Sequence, residues 1–521
     1  MKSPDTMRHY ETIMTTPRDC PIVLFLFSLV MAACLGSIAT DAAELPNIVL
    51  TMGDDHGWFE TGYNNHPHLK TPVLDEMAAT GLRLDRFYSA HPSCSPTRGS
   101  CMTGRHPNRY GTFAPNWSSR PDEIGIAKIL SDAGYACGHF GKWHLGPVKA
   151  DSPTSPKAFG FEEWLSHDNF FEMNPKFSRN GGAPETYSGE SSEVLVRESL
   201  RFIAKAKQDK RPFFVVIWFG SPHEPYSGLE SDLETYSDLP DVYAERKVSL
   251  TSMTTGKATK RPQRDVLQER FAEITAMDRA IGILRTQLKR EKMWRNTLHW
   301  YCGDNGVPAH GQVDSTPFRG AKGLMYEGGI RVPGVIEWPA GIAKPRASTV
   351  NTVTSDILPT LCGIVGAPLP KRPLDGLNLQ PLISGEMKRR REPICFWSYD
   401  TRRLGNDLEP YIPVDLQKGT TPLVKIMAGR FTRNFRNVHQ PPITDADYAG
   451  PRVILDGRYK LVIGQSRKNG KPQKELFDLQ TDPSEKNNLL EAKAVVAQSL
   501  DANLHEWQSS VLQSLSGADY R

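Results

Sequence analysis

Hydrophobic positions along residues 44–385 alternate between two periodicities. Short apolar runs typical of buried strands lie at residues 47–52, 135–141, 213–219 and 297–302. Between them, amphipathic patterns predict helices at residues 71–79, 124–133, 191–206 and 266–290. Thr71 is the expected N-cap of the first helix, with Pro72 at its first position. This alternation predicts an α/β fold whose large central sheet is mostly parallel and flanked by helices, with ligands bound at the carboxyl ends of the strands.

The pattern changes near residue 385. Short strands are predicted at residues 394–397, 452–455, 459–463 and 476–479, and a final helix at residues 492–515. The Asp456-Gly457 dipeptide is a hairpin signal. We therefore expect residues 44–385 to form the main α/β domain, and residues 386–521 to form a smaller C-terminal subdomain with an antiparallel sheet and a helix.

The first 43 residues have the pattern of a secretory signal peptide. An apolar run at residues 21–35 follows Lys2, Arg8 and Arg18, and small residues continue to Ala43. The run is too short and wrongly flanked for a membrane span. We therefore expect an exported protein, periplasmic or secreted. The alternative is lipidation at Cys34, which would anchor the protein to a membrane.

Composition, net charge and cysteine spacing are consistent with a large globular domain. A hydrophobic fraction of 39% and a charged fraction of 23% are typical of a globular protein with a large core. The net charge of +4 tolerates an anionic substrate and gives no indication of nucleic acid. Six cysteines follow the leader without CxxC spacing, so the sequence indicates neither a zinc ribbon nor a dense disulfide framework, and it leaves their pairing open.

Two pairs of oxygen-bearing side chains follow predicted strands. Asp54-Asp55 follows the strand at residues 47–52, and Asp304-Asn305 follows the strand at residues 297–302. Carboxylate and amide oxygens without sulfur or imidazole favour Ca²⁺ or Mg²⁺ over zinc. The alternative is that each pair belongs to a turn or a helix cap. Because both pairs follow strands, the metal hypothesis is preferred.

Cys94 lies at the start of a predicted helix that includes Pro96 and ends around Gly104. The dipole of a helix favours an anion at this end. From the residues alone, Cys94 is a buried structural cysteine, the partner of Cys101 in a disulfide, or a thiolate nucleophile. A thiolate is a poor ligand for a hard cation. A thiolate nucleophile would therefore gain little activation from an oxygen-lined metal site.

The segment Cys94-Ser95-Pro96-Thr97-Arg98, followed by Thr103-Gly104-Arg105, resembles the signature of the formylglycine-dependent (type I, arylsulfatase-like) sulfatase family. Other segments similar to this family occur in the expected order: Asp54-Asp55-His56-Gly57, residues 141–146, residues 221–225, Gly303-Asp304-Asn305-Gly306 and residues 321–333. The resemblance implies an alkaline phosphatase-like catalytic domain over residues 44–385. It also implies that a formylglycine-generating enzyme oxidises Cys94 to formylglycine during export.

The resemblance further implies a Ca²⁺ ion, with Mg²⁺ as the alternative. Its ligands would be Asp54, Asp55, Asp304, Asn305 and the modified Cys94. In this family the formylglycine is held as a hydrate, in which one hydroxyl attacks the sulfate ester and the other later drives sulfate release. The soft sulfur of Cys94 would thus be replaced by oxygen, which suits the cation.

The resemblance implies roles for five further residues. Arg98 would steady the hydrate, and Lys142 would contact the sulfate. His144 would take the proton from the second hydroxyl, and His223 and Lys322 would bind sulfate and assist departure of the alcohol. We expect an extended backbone after the strand to point Lys142 and His144 to the same side.

Residues between the family-like segments are candidates for a saccharide pocket. They are Trp117, Trp164, His167, Phe170, Phe171, Arg179 and His310. The alternative is that the aromatic residues among them belong to the core.

The resemblance implies a sulfuric ester hydrolase that releases inorganic sulfate from a sulfated small molecule or glycan, with a sulfated carbohydrate as the preferred substrate. Two alternatives remain open. One is a phosphate or phosphonate monoester hydrolase of the same superfamily, and the other is a non-catalytic protein that binds sulfated glycans.

Overall fold

The computed structural model describes residues 44–169, 171, 173–252, 254–405, 407–423, 432–468 and 471–520. The predicted signal peptide at residues 1–43, with the lipidation alternative at Cys34, lies outside the described residues, and so does Phe170.

The described residues form nineteen strands. They are β1 (Asn47–Gly53), β2 (Leu82–Leu84), β3 (Phe87–Tyr88), β4 (Ala136–Lys142), β5 (Glu163–His167), β6 (Lys176–Arg179), β7 (Glu185–Thr186), β8 (Phe213–Trp218), β9 (Lys247–Thr251), β10 (Ala258–Pro262), β11 (Thr297–Gly303), β12 (Arg331–Val332), β13 (Gly334–Glu337), β14 (Arg346–Ser348), β15 (Thr352–Val353), β16 (Ile394–Trp397), β17 (Arg452–Asp456), β18 (Tyr459–Lys468) and β19 (Lys471–Asp478).

The same residues form twelve α-helices. They are α1 (Pro72–Thr80), α2 (Cys94–Thr103), α3 (Ile126–Asp132), α4 (Ser191–Gln208), α5 (Glu230–Glu234), α6 (Val242–Glu245), α7 (Gln263–Arg290), α8 (Glu327–Ile330), α9 (Ile357–Val365), α10 (Gln380–Ile383), α11 (Val414–Gln417) and α12 (Ala494–Leu515).

Ten strands form the central sheet, in the order β14-β2-β13-β11-β1-β8-β4-β5-β6-β7. The five central strands, β11 to β5 in this order, are all parallel to their neighbours. β13 and β6 flank these five strands and run antiparallel to them. The predicted α/β fold with a mostly parallel central sheet is confirmed, and the predicted strands agree with β1, β4, β8 and β11.

Both faces of the sheet are covered. Val49 of β1 packs in one core cluster with side chains of α4 and α7. Its neighbours Ile48 and Leu50 pack in another cluster with side chains of α3 and α9. Successive side chains of a strand point to opposite faces, so a strand covered on both sides must be apolar throughout. This is why the central strands appear as continuous apolar runs in the sequence.

The parallel register brings the ends of the central strands to one edge. Gly53 of β1 pairs with Gly303 of β11, and Met52 pairs with Trp218 of β8. Trp218 also pairs with Gly141 of β4. The residues that follow these positions therefore emerge side by side at the carboxyl edge of the sheet.

The first turn of α1 is capped differently from the expectation. Thr71 occupies the N-cap position, but its hydroxyl donates to Asp75 and accepts from the Gly62 amide. The amides of Val73 and Leu74 donate instead to the carboxylate of Asp278 on α7. A carboxylate distant in sequence thus satisfies amide groups that the helix cannot satisfy itself.

We expect this cap to make stability depend on pH. Burial raises the pKa of Asp278 to about 7. The unfolded chain therefore loses this proton at lower pH than the folded chain, and stability falls as pH rises from about 4 to 7, by on the order of 3 kcal/mol. Urea titrations across this range should show this fall in the free energy of unfolding for wild type and not for Asp278→Asn. Parallel curves for the two proteins would contradict the prediction.

The C-terminal residues form a four-stranded antiparallel sheet, in the order β16-β17-β18-β19. Leu500 and Leu504 of α12 pack on Ile454 and Leu461 of this sheet. β17 pairs with β18 up to Asp456 and Tyr459, so the tight turn consists of the next two residues, one position later than the Asp456-Gly457 dipeptide. The predicted antiparallel sheet with a helix is confirmed.

A buried charge cluster joins this sheet to the main sheet region. Lys460 of β18 is fully buried and pairs with Glu327 of α8 over 2.9 Å and with Glu485 over 2.8 Å. Residues 45–521 form one compact unit. A subdomain boundary at residue 385 therefore stays a prediction.

No helix among the described residues has both the length and the apolar character that a membrane span requires.

Candidate active site

Four oxygen-bearing side chains converge where β1 and β11 end. Asp54, Asp55, Asp304 and Asn305 are all fully buried. The Asp55 amide donates to Asp304 Oδ1 over 2.8 Å, and Asn305 Nδ2 donates to Asp55 Oδ1 over 2.9 Å. The structure thus brings together the four residues proposed from the sequence as metal ligands.

The backbone around these residues is tightly constrained. A Cβ atom on Gly303 would lie 2.0 Å from the His56 carbonyl oxygen, so only glycine fits. Asp55 has a φ of 65°, in the left-handed region that non-glycine residues rarely adopt. Arg270 of α7 donates to the Asp55 carbonyl over 2.6 Å. Helix α7 therefore helps to hold Asp55 in a conformation that costs free energy.

Each of the three carboxylates pairs with a cation. The pairs are Lys142 with Asp54 (2.6 Å), Lys322 with Asp55 (2.7 Å) and Arg98 with Asp304 (2.8 Å). Lys142 and Arg98 are fully buried, and the Arg98 guanidinium lies over the ring of Trp218. Arg98 was expected to steady the hydrate; here it donates to Asp304 and to the Lys142 carbonyl, and its Nη2 lies 3.6 Å from Asp54 Oδ1.

The three carboxylates differ in acidity. Burial alone would raise the pKa of Asp54, but Lys142 and the neighbouring cations hold it well below its usual value. Burial, together with the charge of Asp54, raises the pKa of Asp304 to about 7. This contrast is what carboxylates crowded into a small buried volume produce.

The cluster fits a divalent cation. Among the described residues, Asp54, Asp55, Cys94 and His223 each present a ligand atom within 4.8 Å of the others. Asp54 Oδ1 and Asn305 Oδ1 are buried, and neither has a hydrogen-bond partner in the described part of the chain. Buried oxygens normally have partners, so these two atoms are suited to a cation.

Cys94 is the first residue of α2, and its side chain is buried. Its Sγ lies 3.9 Å from Asp55 Oδ1, so the helix delivers it to the carboxylate cluster. All six described cysteines are free thiols, which excludes the alternative of a disulfide to Cys101. Burial raises the pKa of the Cys94 thiol far above neutral, and a protonated thiol is a poor nucleophile. An unmodified Cys94 is thus poorly suited to attack.

His223 and Lys322 face Asp55 together. His223 Nδ1 lies 2.6 Å from the Glu224 carbonyl, which can only accept, so Nδ1 carries a proton. Lys322 Nζ donates to His223 Nε2 over 3.3 Å. Burial and the Lys322 ammonium lower the pKa of His223 to about 3. The neutral ring therefore presents Nε2 as an acceptor toward the cluster.

The expected extended backbone after β4 is wrong. The strand ends at Lys142, and His144 has a φ of 56°, so the chain turns sharply there. His144 is nevertheless buried, and its amide donates to the Asp168 carbonyl over 3.0 Å. A turn held by the end of β5, rather than strand alternation, directs its ring.

Sequence reasoning missed two residues beside His144. The contacts of Asn169 assign its amide orientation: with the nitrogen toward His144 Nε2 (3.1 Å) and the oxygen toward Arg433 Nη2 (2.9 Å), both ends have suitable partners. A guanidinium only donates, so Arg433 fixes the orientation of the amide and leaves His144 Nε2 as an acceptor. Arg433 comes from the C-terminal region, and no local pattern marks it as a site residue.

Several saccharide-pocket candidates are structural. Trp164 and Phe171 are buried in the core clusters, as the alternative stated. Arg179 forms ion pairs with Glu163 and Glu198.

Three further candidates have defined partners. Trp117 is buried in a small apolar cluster beneath Arg436. His167 is fully buried, and its Nε2 lies 2.8 Å from the Pro422 carbonyl. His310 is only partly buried, and its Nε2 lies 2.7 Å from the Tyr226 hydroxyl. Of the three, His310 is next to the segment that carries His223, because it approaches Glu224 to 3.7 Å.

The sequence model of the family Sulfatase matches residues 46–367. The chain belongs to the sulfatase family. N-acetylgalactosamine-6-sulfatase of Canis lupus familiaris is 32% identical over 414 residues, which cover 72% of each chain. Ulvan-active sulfatase of Formosa agariphila is 30% identical over 374 residues, which cover 70% of each chain. Such relatives indicate that this chain is a sulfatase enzyme.

The fold of this sulfatase also matches solved structures. The crystal structure of Ps i-CgsB in complex with k-i-k-neocarrahexaose superposes with a TM-score of 0.70 at 22% identity. The match covers 90% of this sulfatase and 94% of that chain. At this identity the likeness concerns the fold alone.

Proposed function

We propose that this sulfatase hydrolyses a sulfate monoester of a carbohydrate, with a bound Ca²⁺ ion and a formylglycine made from Cys94. One observation carries the proposal. A single cluster unites the buried Cys94, three buried carboxylates and Lys142 with the partly exposed Lys322 and His223, although these residues come from separate segments of the chain.

The cation would be held by Asp54, Asp55, Asp304, Asn305 and the modified Cys94. A divalent cation in this position offsets the negative charge of a sulfate ester. Lys142 and Lys322 already lie on the carboxylates of Asp54 and Asp55, so their ammonium groups reach the same space. They would bind sulfate oxygens and stabilise the charge that spreads over them in the transition state.

The formylglycine hydrate would supply an oxygen nucleophile and a second hydroxyl whose deprotonation releases sulfate. We propose that two histidines of this chain, His144 and His223, take part in moving the protons. His144 is buried and would take the proton of the second hydroxyl, which requires its Nε2 lone pair to exchange the hydrogen bond from Asn169 for one from that hydroxyl. Lys322 Nζ donates to His223 Nε2, so the Lys322 ammonium holds a proton for the departing alcohol and His223 would help to pass it on.

The substrate class rests on the relatives. N-acetylgalactosamine-6-sulfatase and ulvan-active sulfatase are both named for carbohydrate substrates. We infer that this sulfatase also acts on a sulfated glycan. The leader pattern of residues 1–43 supports export, to the periplasm or outside the cell, and export brings the chain to a formylglycine-generating enzyme.

Paired assays with an aryl sulfate and the matching aryl phosphate test the reaction class. We expect kcat/KM for the sulfate to exceed that for the phosphate by at least about 100-fold, because a sulfatase stabilises the transition state of sulfate transfer more than that of phosphate transfer. Preference for the phosphate would favour the monoesterase alternative. Tight binding of sulfated glycans without any turnover would favour the non-catalytic alternative.

A further inference from the structure

A second anionic-ligand site is indicated by a basic groove in the C-terminal half. The groove has a volume of about 720 Å³. We define it by Arg86, Asn351, Lys388, Arg389, Arg391 and Arg458, which line it. None of these residues belongs to the cluster around Cys94. Asp456 is the one carboxylate among the described lining residues.

The cations of the basic groove are largely uncompensated. Lys388, Arg389 and Arg391 are exposed. Within the described part of the chain, no carboxylate lies within ion-pair distance of these three residues or of Arg86, which donates to the Leu479 carbonyl. Arg458 pairs with Asp478. Unpaired positive charge that lines a groove attracts a polyanion.

The groove is also preorganised. Arg390, within the basic run, points inward and is 8% exposed. It forms a bidentate ion pair with the buried Asp356, over 2.7 and 3.0 Å. This pair anchors the segment, so its neighbours Arg389 and Arg391 remain directed to solvent. An anchored run loses less conformational entropy on binding than a mobile one.

The groove offers more than charge. Asn351 is 5% exposed and donates to the Gly457 carbonyl over 2.7 Å, which joins it to the turn between β17 and β18. Its Oδ1 is buried, and this atom has no hydrogen-bond partner among the described residues. An acceptor of this kind suits a hydroxyl group. Guanidinium groups bind the oxygens of sulfate in a bidentate manner.

We propose that the basic groove is a secondary binding site for a sulfated polysaccharide chain. The proposal rests on the proposed function in that the same polymer would be the substrate. Sulfate groups along the polysaccharide pair with the cations of the basic groove, and a sugar hydroxyl donates to Asn351. A polymer held in the groove raises the local concentration of its other sulfate groups at the catalytic cluster.

The test compares two triple variants that lose the same charge. The groove variant carries Lys388→Ser, Arg389→Ser and Arg391→Ser. The control carries Lys70→Ser, Lys157→Ser and Lys205→Ser, three exposed lysines that lie outside the groove. Binding of dextran sulfate, unsulfated dextran and duplex DNA is measured for both variants and wild type, and each protein is assayed with an aryl sulfate.

We expect the groove variant to bind dextran sulfate at least about tenfold more weakly than wild type, while the control changes less than about threefold. Turnover of the aryl sulfate should be unchanged in both variants. Equal losses in the two variants would overturn the proposal, as would tighter binding of DNA than of dextran sulfate. Absent aryl sulfate turnover in all three proteins would refute the proposed function, while the binding data would still decide the groove.

Discussion

Cys94→Ala should abolish sulfate release and leave the fold intact. The variant has no side chain to convert to formylglycine, and we expect turnover to fall by more than about 10⁴-fold, the scale on which enzymes lose activity with their nucleophile. Alanine fits the first position of α2, so the midpoint of thermal unfolding should change little. Aryl sulfate turnover and circular dichroism measure the two effects.

Cys101→Ala provides the matched control, since Cys101 is a buried free thiol in the same helix. It should keep turnover close to that of wild type. Mass spectrometry of the peptide carrying Cys94, from protein made in its own host, should find the aldehyde in wild type. Wild-type turnover by Cys94→Ala, or an unmodified thiol in fully active protein, would refute the assignment.

Removal of the divalent cation should have a comparable effect. The cluster holds three buried carboxylates, and without the cation the charge of a sulfate ester is offset only by the neighbouring lysines and arginine. We expect a chelator to lower turnover at least about 100-fold and added Ca²⁺ to restore it. Ca²⁺ at 100 times its Kd should also stabilise the fold by about 2.7 kcal/mol, which thermal unfolding detects.

Asp54→Asn should lose both the bound metal and the response to Ca²⁺. Its control is Asp241→Asn, because Asp241 is an exposed acid whose side chain is 92% accessible. Metal content by mass spectrometry gives a readout independent of turnover. Full turnover in metal-free protein would rule out a catalytic cation, and Mg²⁺ replacing Ca²⁺ with equal effect would change the identity of the ion.

Backbone direction after β4 and the cap of α1 differ from what the local sequence predicts. His144 was expected on an extended chain, and the structure places it in a left-handed turn. Likewise, Thr71 was expected to cap α1, whereas Asp278 does so. In both cases a contact with a segment distant in sequence outweighs the local preference. Local sequence patterns carry no information about such contacts.

By itself, the sequence determined the α/β alternation, the central strands and the pairs of acidic and amide residues that follow them, because burial on both faces of a sheet demands continuous apolar runs. It also determined the start of α2 at Cys94, through proline and glycine placement. Only the tertiary structure decided which charges meet: Arg98 on Asp304, Asn169 and Arg433 beside His144, and Trp164 and Phe171 in the core. Those contacts arise from strand register and from packing of the C-terminal region, which join residues that no local spacing relates.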